Sequence, residues 1–542
     1  MKSTVARLIV QFLKEAGVRH IFGVTGHSVF DITDALYGDP EIRFVQSLHE
    51  GPAAYMAAAY AKGKRGLGVC LASSGAGATN LLTGVAYAHK ESIPLIALSS
   101  DVRSREAGKG ASSWHEIPQR EMFEPVTKMS VTLKGGGALD SLRESFLQAT
   151  TGRNGPVYIG VPRDVQEVEV EAPEPGWLPK PPPPLAPDTG AVERAAEEIN
   201  KASAPVIIAG GGVYWAQAEA ELKELAEILG APFATTPSHK GLLSEEHPLS
   251  LGALGFGAFP FAGAFSLESD VVLAVGSTFS EALTLGYGGK VIPEGAPIIQ
   301  VDSDEREIGK IYPVRHALVG DAKIVLRDLI DRLKQTERRK NSTRLDRLAR
   351  EKRAWREKLA AHDYGAEGPI DQWHVYRALM DAMPEETIVV GAGGTTELVR
   401  RFIARSYAYH SGDFRAIGCG LATSIGLSLA SPGRPVACVT GDGSFMLETQ
   451  ELATAAAWKL PISIIVIRNE AYGNMKRDQI RHWGGRVIGT DLNLPDLCAL
   501  AAAYGLETQR VERPPDLPAA ISRSLALGKP SLLDVVCPIE GI

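Results

Sequence analysis

The sequence predicts an α/β protein made of three consecutive doubly wound parallel-sheet domains. Three observations support this fold class. Short runs of β-branched and aliphatic residues alternate with helical patterns along the whole chain, the length of 542 residues suits several domains, and two stretches of unusual composition divide it. Alternating strands and helices form βαβ units, whose parallel strands are covered by helices on both faces.

The two unusual stretches set the predicted domain boundaries. Residues 171–190 (EAPEPGWLPKPPPPLAPDTG) contain too many prolines for a helix or strand and indicate an extended linker. Residues 333–362 are strongly charged and indicate a solvated helix with a connection. We therefore predict domains at 1–170, 191–335 and 366–542, joined by a proline-rich linker at 171–190 and a charged linker at 336–365.

Each predicted domain contains strand-like runs. In the first, IRFVQSL, LGVCLASS and PLIALSS are separated by the Ala-rich helices GPAAYMAAAYAKG and GATNLLTGVAYAHK. The central domain has PVIIAGGG, VVLAVGS and PIIQVDSD, and the last has TIVVGAGG, PVACVTGDG and ISIIVIRNE. Runs of this length with helices between them predict one parallel sheet in each domain.

Composition excludes several classes of partner. A net charge of −7 and a sequence pI near 6.0 predict no nucleic-acid or anionic-membrane partner. The five cysteines are scattered without metal-ligand spacing, which disfavours zinc and disulfides and fits a reducing compartment. The chain begins with an amphipathic, charged helical pattern, and no apolar run approaches the roughly 20 residues that span a bilayer. We therefore predict a cytoplasmic protein with no membrane association.

The segment 441–474 contains the most informative pattern. The strand PVACVT leads into Asp442, and the run FMLETQELATAAAWK predicts a helix that begins near Ser444. The next strand, ISIIVI, is followed by Arg468 and then Asn469, 27 positions after Asp442. Because successive parallel strands of a βαβ unit end at the same sheet edge, Asp442 and Asn469 are expected to lie side by side.

This arrangement predicts a cradle for a metal ion and a diphosphate. A carboxylate and an amide oxygen suit Mg²⁺, with a backbone carbonyl and phosphate oxygens as further ligands. The N–H groups of Gly443, Ser444 and the helix start are expected to bind the anion, and Gly441 and Gly443 allow close backbone approach. A lone Gly-Asp-Gly would indicate only a turn.

Gly-Asp-Gly followed by Asn at this spacing resembles the signature of thiamine diphosphate enzymes. The pattern GDGSF…QELATA…LP is similar to their acetolactate synthase and benzoylformate decarboxylase branch. The resemblance covers essentially the whole chain and implies pyrimidine-binding, central and diphosphate-binding domains, in that order. It implies that Asp442, Asn469 and the Ala471 carbonyl ligate Mg²⁺, although the usual tandem Asn-Asn is Arg468-Asn469 here. The cofactor-binding residues implied in this region are Gly441, Asp442, Gly443, Ser444, Asn469, Ala471, Tyr472, Gly473 and Asn474.

The resemblance implies further cofactor contacts. Glu50, in SLHEGPAAYMAAAYAK, matches the family's glutamate whose carboxyl group bonds the aminopyrimidine ring and promotes loss of the thiazolium C2 proton. By itself, Glu50 would indicate only a charge at a helix N-terminus. Ile417 matches the apolar residue beneath the bent cofactor, a role compatible with core packing, and Gly393 and Gly394 are expected to contact the aminopyrimidine. In the family the glutamate and the diphosphate site come from different subunits, which implies a homodimer or homotetramer.

Two histidines are candidates for the substrate side of the site. His27, in GVTGHSVFD, lies where pyruvate decarboxylase-like relatives place a catalytic Asp, and His115, in SSWHEIPQ, matches the Gln of the family's Phe-Gln-Glu motif. An imidazole at either position could protonate an intermediate or hold a substrate carboxylate. Ordinary hydrogen-bonded histidines are the alternative. Asn474 and Met475 are expected to line the substrate pocket.

Three functions stay open at this point. The first is an acetolactate synthase-like carboligase that cleaves a 2-oxo acid or related ketone and passes the carbanion to an aldehyde or ketone acceptor. The second is a non-oxidative decarboxylase of the benzoylformate type, and the third is a catalytically silent relative that binds the cofactor. The central segments LGALGFGAF and GSTFSEAL lack the basic content of flavin-binding relatives, so no FAD is predicted.

Overall fold

The computed structural model describes residues 2–335, 340–361, 368–403, 408–410 and 412–539. Parts of the predicted charged linker, at 336–339 and 362–365, lie outside the described residues. The described chain contains three six-stranded sheets, and every strand pair within them is parallel. The predicted fold class is thereby confirmed.

The N-terminal domain is built around a six-stranded sheet with the strand order β3-β2-β4-β5-β7-β6. A short antiparallel pair, β1 with β8, closes the domain where the chain enters and leaves it. The strands are β1 (Lys2–Thr4), β2 (His20–Gly23), β3 (Arg43–Gln46), β4 (Gly68–Ala72), β5 (Leu95–Asp101), β6 (Met129–Thr132), β7 (Pro156–Pro162) and β8 (Glu169–Glu171). The helices are α1 (Val5–Glu15), α2 (Phe30–Leu36), α3 (Glu50–Lys64), α4 (Ala76–Lys90), α5 (Gln119–Phe123), α6 (Ala138–Thr150) and α7 (Arg163–Gln166).

The central domain has the strand order β11-β10-β9-β12-β13-β14, in which the chain starts in the middle and winds outward in both directions. Its strands are β9 (Pro205–Ala209), β10 (Phe233–Thr235), β11 (Ser250–Ala253), β12 (Val271–Val275), β13 (Ile298–Asp302) and β14 (His316–Val319). The helices of this part of the chain are α8 (Thr189–Lys201), α9 (Gly211–Trp215), α10 (Glu219–Leu229), α11 (Ala262–Leu267), α12 (Glu281–Thr284), α13 (Ala322–Leu333) and α14 (Ser342–Ala360).

The C-terminal domain repeats the connectivity of the N-terminal sheet, with the order β16-β15-β17-β18-β20-β19. Its strands are β15 (Ile388–Ala392), β16 (Ala408–His410), β17 (Val436–Gly441), β18 (Ile462–Arg468), β19 (Glu507–Val511) and β20 (Ser531–Val536). Its helices are α15 (Gln372–Ala382), α16 (Thr396–Phe402), α17 (Gly420–Ala430), α18 (Asp442–Phe445), α19 (Leu452–Ala457), α20 (Gly473–His482), α21 (Leu497–Ala503) and α22 (Leu517–Ala526).

The segments between the sheets differ in character. Residues 172–188 form neither helix nor strand, as their prolines predict, and α8 begins at Thr189. The charged stretch 342–360 is a helix, but one face is buried against the central domain, where Arg344 donates to the carbonyls of Pro205 (3.2 Å) and Phe265 (2.6 Å). Leu348 and Trp355 share that face at helical spacing, so the helix packs rather than being solvated on all sides. We retain the predicted domain boundaries as a proposal.

Helix α3 packs against α17 and joins the first domain to the third. Twelve of the fifteen α3 residues are buried, and so is every residue of α17. A side chain at Gly426 of α17 would stand 2.2 Å from the Met56 carbonyl oxygen, so only glycine allows this approach. The Ala-rich sequence of α3 therefore serves a close contact between domains, and Glu50 lies at the start of that helix.

Candidate active site

Asp442 and Asn469 lie together at the carboxyl ends of β17 and β18, which are paired neighbours. The Asp442 Oδ2 atom accepts the backbone N–H groups of Asn469 (2.8 Å) and Glu470 (2.6 Å). Its Oδ1 atom accepts the N–H of Gly443 (2.8 Å). The structure thus brings together the two residues that the spacing places at one sheet edge.

The oxygen atoms of this loop fit a hard divalent cation. The Asp442 side chain is 1 % exposed, and burial raises its pKa although the three N–H donors act in the opposite direction. Asn469 Oδ1 accepts the Ala471 N–H (3.2 Å), so the amide and the Ala471 peptide are adjacent. In the described part of the chain, no three His, Cys, Asp or Glu side chains gather around a possible ion. A cation here would use one carboxylate, an amide and a backbone carbonyl, as Mg²⁺ does with a phosphate ligand.

The Gly443 N–H donates to Asp442's own carboxylate, and its expected bond to an anion stays a prediction. One local expectation for this loop is wrong. The run FMLETQELATAAAWK does not form one helix from Ser444: α18 covers Asp442–Phe445, a 3₁₀ turn covers Thr449–Glu451, and α19 covers Leu452–Ala457. The helix is interrupted where Glu448 and Glu451 turn inward and accept hydrogen bonds from distant residues.

The other cofactor-side candidates of the C-terminal domain surround the same loop. Gly393 has φ +62°, and a Cβ there would lie 3.3 Å from Ile417 Cγ2, whose side chain is 44 % exposed. A Cβ on Gly394 would meet Asn474 Nδ2 at 2.9 Å. The Tyr472 ring lies against Gly443, and the Gly473 backbone borders the Asn469 amide. The Ser444 hydroxyl accepts the Gly418 N–H (2.9 Å), and Met475 is 55 % exposed.

Glu50 is the first residue of α3 and is half-buried. Asn80 Nδ2 donates to its Oε2 atom (2.9 Å), and a Cβ on Gly77 would lie 3.1 Å from its Oε1 atom. One carboxylate oxygen is therefore held by an amide, and the other lies beside a glycine. Between Glu50 and the Asp442 loop, no hydrogen bond exists among the residues that the structure describes.

His27, through its neighbours Gly26 and Ser28, and His115 both lie next to the turn 73–77. A Cβ on Gly26 would be 2.9 Å from the Ser73 side chain, and one on Gly75 would be 2.9 Å from His115 Cβ. His115 has φ +65°, and both histidines are exposed. Because Glu50 borders Gly77, the same turn gathers Glu50, His27 and His115 into one group.

The sequence patterns missed several residues that hold these groups in place. Asn80, at the end of the motif SSGAGATN, donates a hydrogen bond to Glu50. Buried Gln119 accepts the Gly75 N–H (2.6 Å) and donates to the Ser100 carbonyl (3.0 Å). A polar amide in an otherwise apolar helix turn was the available signal for Asn80. Arg477 donates to Asn474 Oδ1 (2.8 Å), and the three-residue spacing of this pair on α20 was the available signal.

The structure also accounts for Arg468, which departs from the family's tandem asparagines. Its guanidinium contacts the buried Asp534 carboxylate (3.2 Å) and Glu470 Oε1 (2.6 Å). Asp534 is shared with Arg510 (3.0 Å), so the residue before Asn469 is fixed by an ion-pair network rather than by an amide.

Comparison with known proteins agrees with this geometry over nearly the whole chain. Residues 3–125 match the family described as thiamine pyrophosphate enzyme, N-terminal TPP binding domain. Residues 192–329 match the central domain of the thiamine pyrophosphate enzymes, and residues 391–535 match their C-terminal TPP binding domain.

Curated relatives align along almost the full length. A probable acetolactate synthase large subunit of Methanocaldococcus jannaschii is 34 % identical, over 99 % of this chain and 92 % of the relative. The acetolactate synthase large subunit of Corynebacterium glutamicum is 31 % identical over 99 % of this chain and 87 % of the relative. That of Haemophilus influenzae is 30 % identical over 96 % and 92 %.

Three parallel-sheet domains, each matching its counterpart in order, define a thiamine pyrophosphate-dependent enzyme. The chain belongs to the thiamine pyrophosphate enzyme family, in its acetolactate synthase-like branch. The resemblance inferred from Gly-Asp-Gly and the spaced Asn is confirmed at this level.

Proposed function

We propose that this enzyme is a thiamine diphosphate- and Mg²⁺-dependent carboligase of the acetolactate synthase type. It would cleave a 2-oxo acid or related ketone and transfer the resulting carbanion to an aldehyde or ketone acceptor. The observation that carries the proposal is the loop in which Asp442 accepts the Asn469 and Glu470 N–H groups. Full-length similarity to several acetolactate synthase large subunits supports the choice of reaction.

The residues of the C-terminal loop would hold the cofactor's charged end. Asp442, Asn469 and the Ala471 carbonyl would ligate Mg²⁺, while the backbone of residues 441–444 and 472–474 would line the diphosphate site. Ile417, Gly393 and Gly394 would contact the organic part of the cofactor. When bound, thiamine diphosphate supplies the nucleophile that attacks a carbonyl and the group that stabilises the carbanion formed by cleavage.

Glu50 is the proposed proton-handling group of the cofactor site. Asn80 bonds its Oε2 atom, which leaves Oε1 as the atom to bond a ring nitrogen and exchange a proton. His27 and His115 belong to the same group around the turn 73–77, and neither has a hydrogen-bonding side chain of the described residues as a partner. We propose that they bind the substrate carboxylate or donate a proton, with Asn474 and Met475 lining the pocket.

We also propose a homodimer or homotetramer, in the cytoplasm, with active sites between subunits. The Glu50 group and the Asp442 loop share no hydrogen bond within the described part of one chain, which fits assembly from two chains. Among the described residues, no helix combines the length and apolar character needed to span a bilayer. That the central domain binds no FAD stays a prediction.

Product analysis tests the proposed reaction. Purified enzyme with thiamine diphosphate and Mg²⁺ is incubated with a panel of 2-oxo acids, including pyruvate and benzoylformate, with and without aldehyde acceptors. Mass spectrometry should find ligation products such as acetolactate or acetoin, and Asp442→Ala should abolish them. Free aldehyde with no ligation product would instead identify a benzoylformate-type decarboxylase, and no turnover of any substrate would favour a silent relative.

A further inference from the structure

We propose that two buried carboxylates, Glu448 and Glu451, are positioning residues that hold the two cofactor-facing turns of the chain. Glu451 fixes the turn that leads into Glu50, and Glu448 fixes the helix start that follows Ile417. Both belong to the segment that begins with Asp442, so one short stretch of a chain would orient the Asp442 loop and the Ile417 turn for one intersubunit site and the Glu50 turn for the other. The inference rests on the proposed function for its catalytic consequence, but not for its geometry.

Glu451 connects the C-terminal domain to the N-terminal domain across 404 positions of sequence. Its Oε1 atom lies 2.9 Å from the Ser47 hydroxyl and accepts the Leu48 N–H (3.1 Å). Thr454 supports the contact, since its hydroxyl lies 2.9 Å from Glu451 Oε2 and 3.0 Å from the Gln46 carbonyl. The residues at 46–48 are thus held immediately before Glu50.

Glu448 performs the corresponding role inside the C-terminal domain. Its two oxygens accept the N–H groups of Leu421 and Ala422, each at 2.9 Å, in the first turn of α17. Ser444, four residues earlier, accepts the N–H of Gly418 (2.9 Å). The turn that carries Ile417 is therefore tied at two points to the Asp442 segment.

The interior position of both side chains argues against an incidental contact. Glu448 and Glu451 are fully buried, and a buried carboxylate is costly unless its oxygens are bonded. Burial raises the pKa of both groups, while the N–H and hydroxyl donors act to lower it. The helix predicted for this run is interrupted between Phe445 and Leu452, where Glu448 and Glu451 make these two contacts.

Amide hydrogen exchange on the apoprotein tests the geometry without the cofactor. Glu451→Ala should speed exchange in residues 46–50, and Glu448→Ala in residues 420–422, each by at least about tenfold and each only in its own segment. Glu385→Ala, which removes an exposed carboxylate of the same domain, should change neither segment. Unchanged exchange in the matching segment would overturn the proposal for that residue.

Cofactor measurements on the holoenzyme test the positioning role. Glu451→Ala should slow exchange of the cofactor C2 proton by about tenfold or more, with its dissociation constant changed less than about threefold. Glu448→Ala should raise that dissociation constant by about tenfold, because the Ile417 turn is released. Glu451→Gln should recover much of the C2 exchange, since its carbonyl can still accept the Leu48 N–H.

Two further outcomes distinguish a purely structural role of the carboxylates, and a failure of the proposed function, from the positioning role. If both alanine variants speed exchange everywhere and lower the unfolding temperature alike, the carboxylates only support the core and the positioning role is refuted. If the wild-type holoenzyme does not exchange its C2 proton, the proposed function fails, while the exchange pattern of the apoprotein still decides whether Glu451 and Glu448 hold their turns.

Discussion

At the scale of single residues, Asp442 has its direction fixed by three backbone donors. Both oxygens receive N–H groups, one from its own turn and two from the neighbouring strand end. A carboxylate held in this way presents its remaining lone pairs to one place, which is what a metal with few protein ligands requires. Arg468 forms ion pairs with Asp534 and Glu470, and these pairs fix the loop that follows β18 and carries Asn469.

Replacing Asp442 should therefore release the cofactor. We expect Asp442→Ala to lower affinity for thiamine diphosphate and Mg²⁺ at least about tenfold, because loss of a metal ligand or its support costs affinity on that scale. Gel filtration followed by assay of the retained cofactor measures the effect. Asp516→Ala, on the surface of the same domain, is the matched control, and retention equal to wild type would remove Asp442 from the metal site.

Glu50 should affect proton transfer more than binding. We expect Glu50→Gln to slow exchange of the cofactor C2 proton by about a hundredfold or more, since the amide cannot take part in the proton transfer. Asn80→Ala should have a smaller effect in the same direction, because it leaves the carboxyl group but frees one oxygen. Quenched-flow NMR of the C2 proton measures both, and a wild-type rate in Glu50→Gln would exclude the carboxyl from the mechanism.

At the scale of elements, the interrupted helix at 442–457 shows where sequence patterns reach their limit. The run FMLETQELATAAAWK has helix-forming composition, and local propensity favours continuity. Tertiary contacts of Glu448 with α17 and of Glu451 with Ser47 outweigh that preference, and the chain changes to a 3₁₀ turn between α18 and α19. No pattern within the run contains this information, because the partners lie elsewhere in the chain.

Glu448 should make stability depend on pH in a defined direction. Burial raises its pKa to about 7, whereas an unfolded chain would hold it near the model-peptide value, so the folded state binds the proton more tightly. Protonated Glu448 therefore stabilises the fold fully below the pKa that it has in the unfolded chain. This stabilisation is lost as the pH rises to about 7. The negative charge of Glu451 adds to the increase in the Glu448 pKa that burial causes.

The corresponding measurement compares wild type with Glu448→Gln, which does not titrate. The free energy of unfolding of the wild type, relative to the variant, should fall by on the order of 2 kcal/mol between about pH 5 and pH 7 and then level off. Denaturant unfolding at fixed pH values gives the difference. A difference independent of pH across that window would contradict the assigned environment of Glu448.

At the scale of the whole molecule, the three-sheet architecture could be predicted because βαβ units produce strand-like and helical segments that alternate along the sequence. The pairing of Asp442 with Asn469 could be anticipated for the same reason, since strands next in sequence share a sheet edge. Strand order, the α3–α17 contact and the Glu451–Ser47 bond could not, because each depends on residues far apart in sequence. The buried face of α14 was hidden by its charges, because Arg344 and Lys352 turn inward and donate to buried backbone carbonyls.

Large apolar side chains remain exposed beside both halves of the cofactor site. Phe30 and Leu48 lie near the Glu50 group, and Ile417, Leu447 and Met475 near the Asp442 loop, each more than a third exposed. Exposed apolar surface of this kind supports the proposed dimer, in which it would be covered. A two-fold dimer would cover both halves at once and would build each site from Glu50 of one chain and Asp442 of the other.

Co-expression of two defective chains separates this arrangement from a site within one chain. Asp442→Ala and Glu50→Gln chains, differently tagged and each inactive alone, are co-expressed and the doubly tagged species is purified. If sites lie between subunits, each heterodimer contains one site with both defects and one intact site, and its activity should approach about half that of wild type. If Glu50 and Asp442 of one chain form a site, every site has a defect and the heterodimer stays inactive. An inactive but fully assembled heterodimer would therefore contradict the shared site.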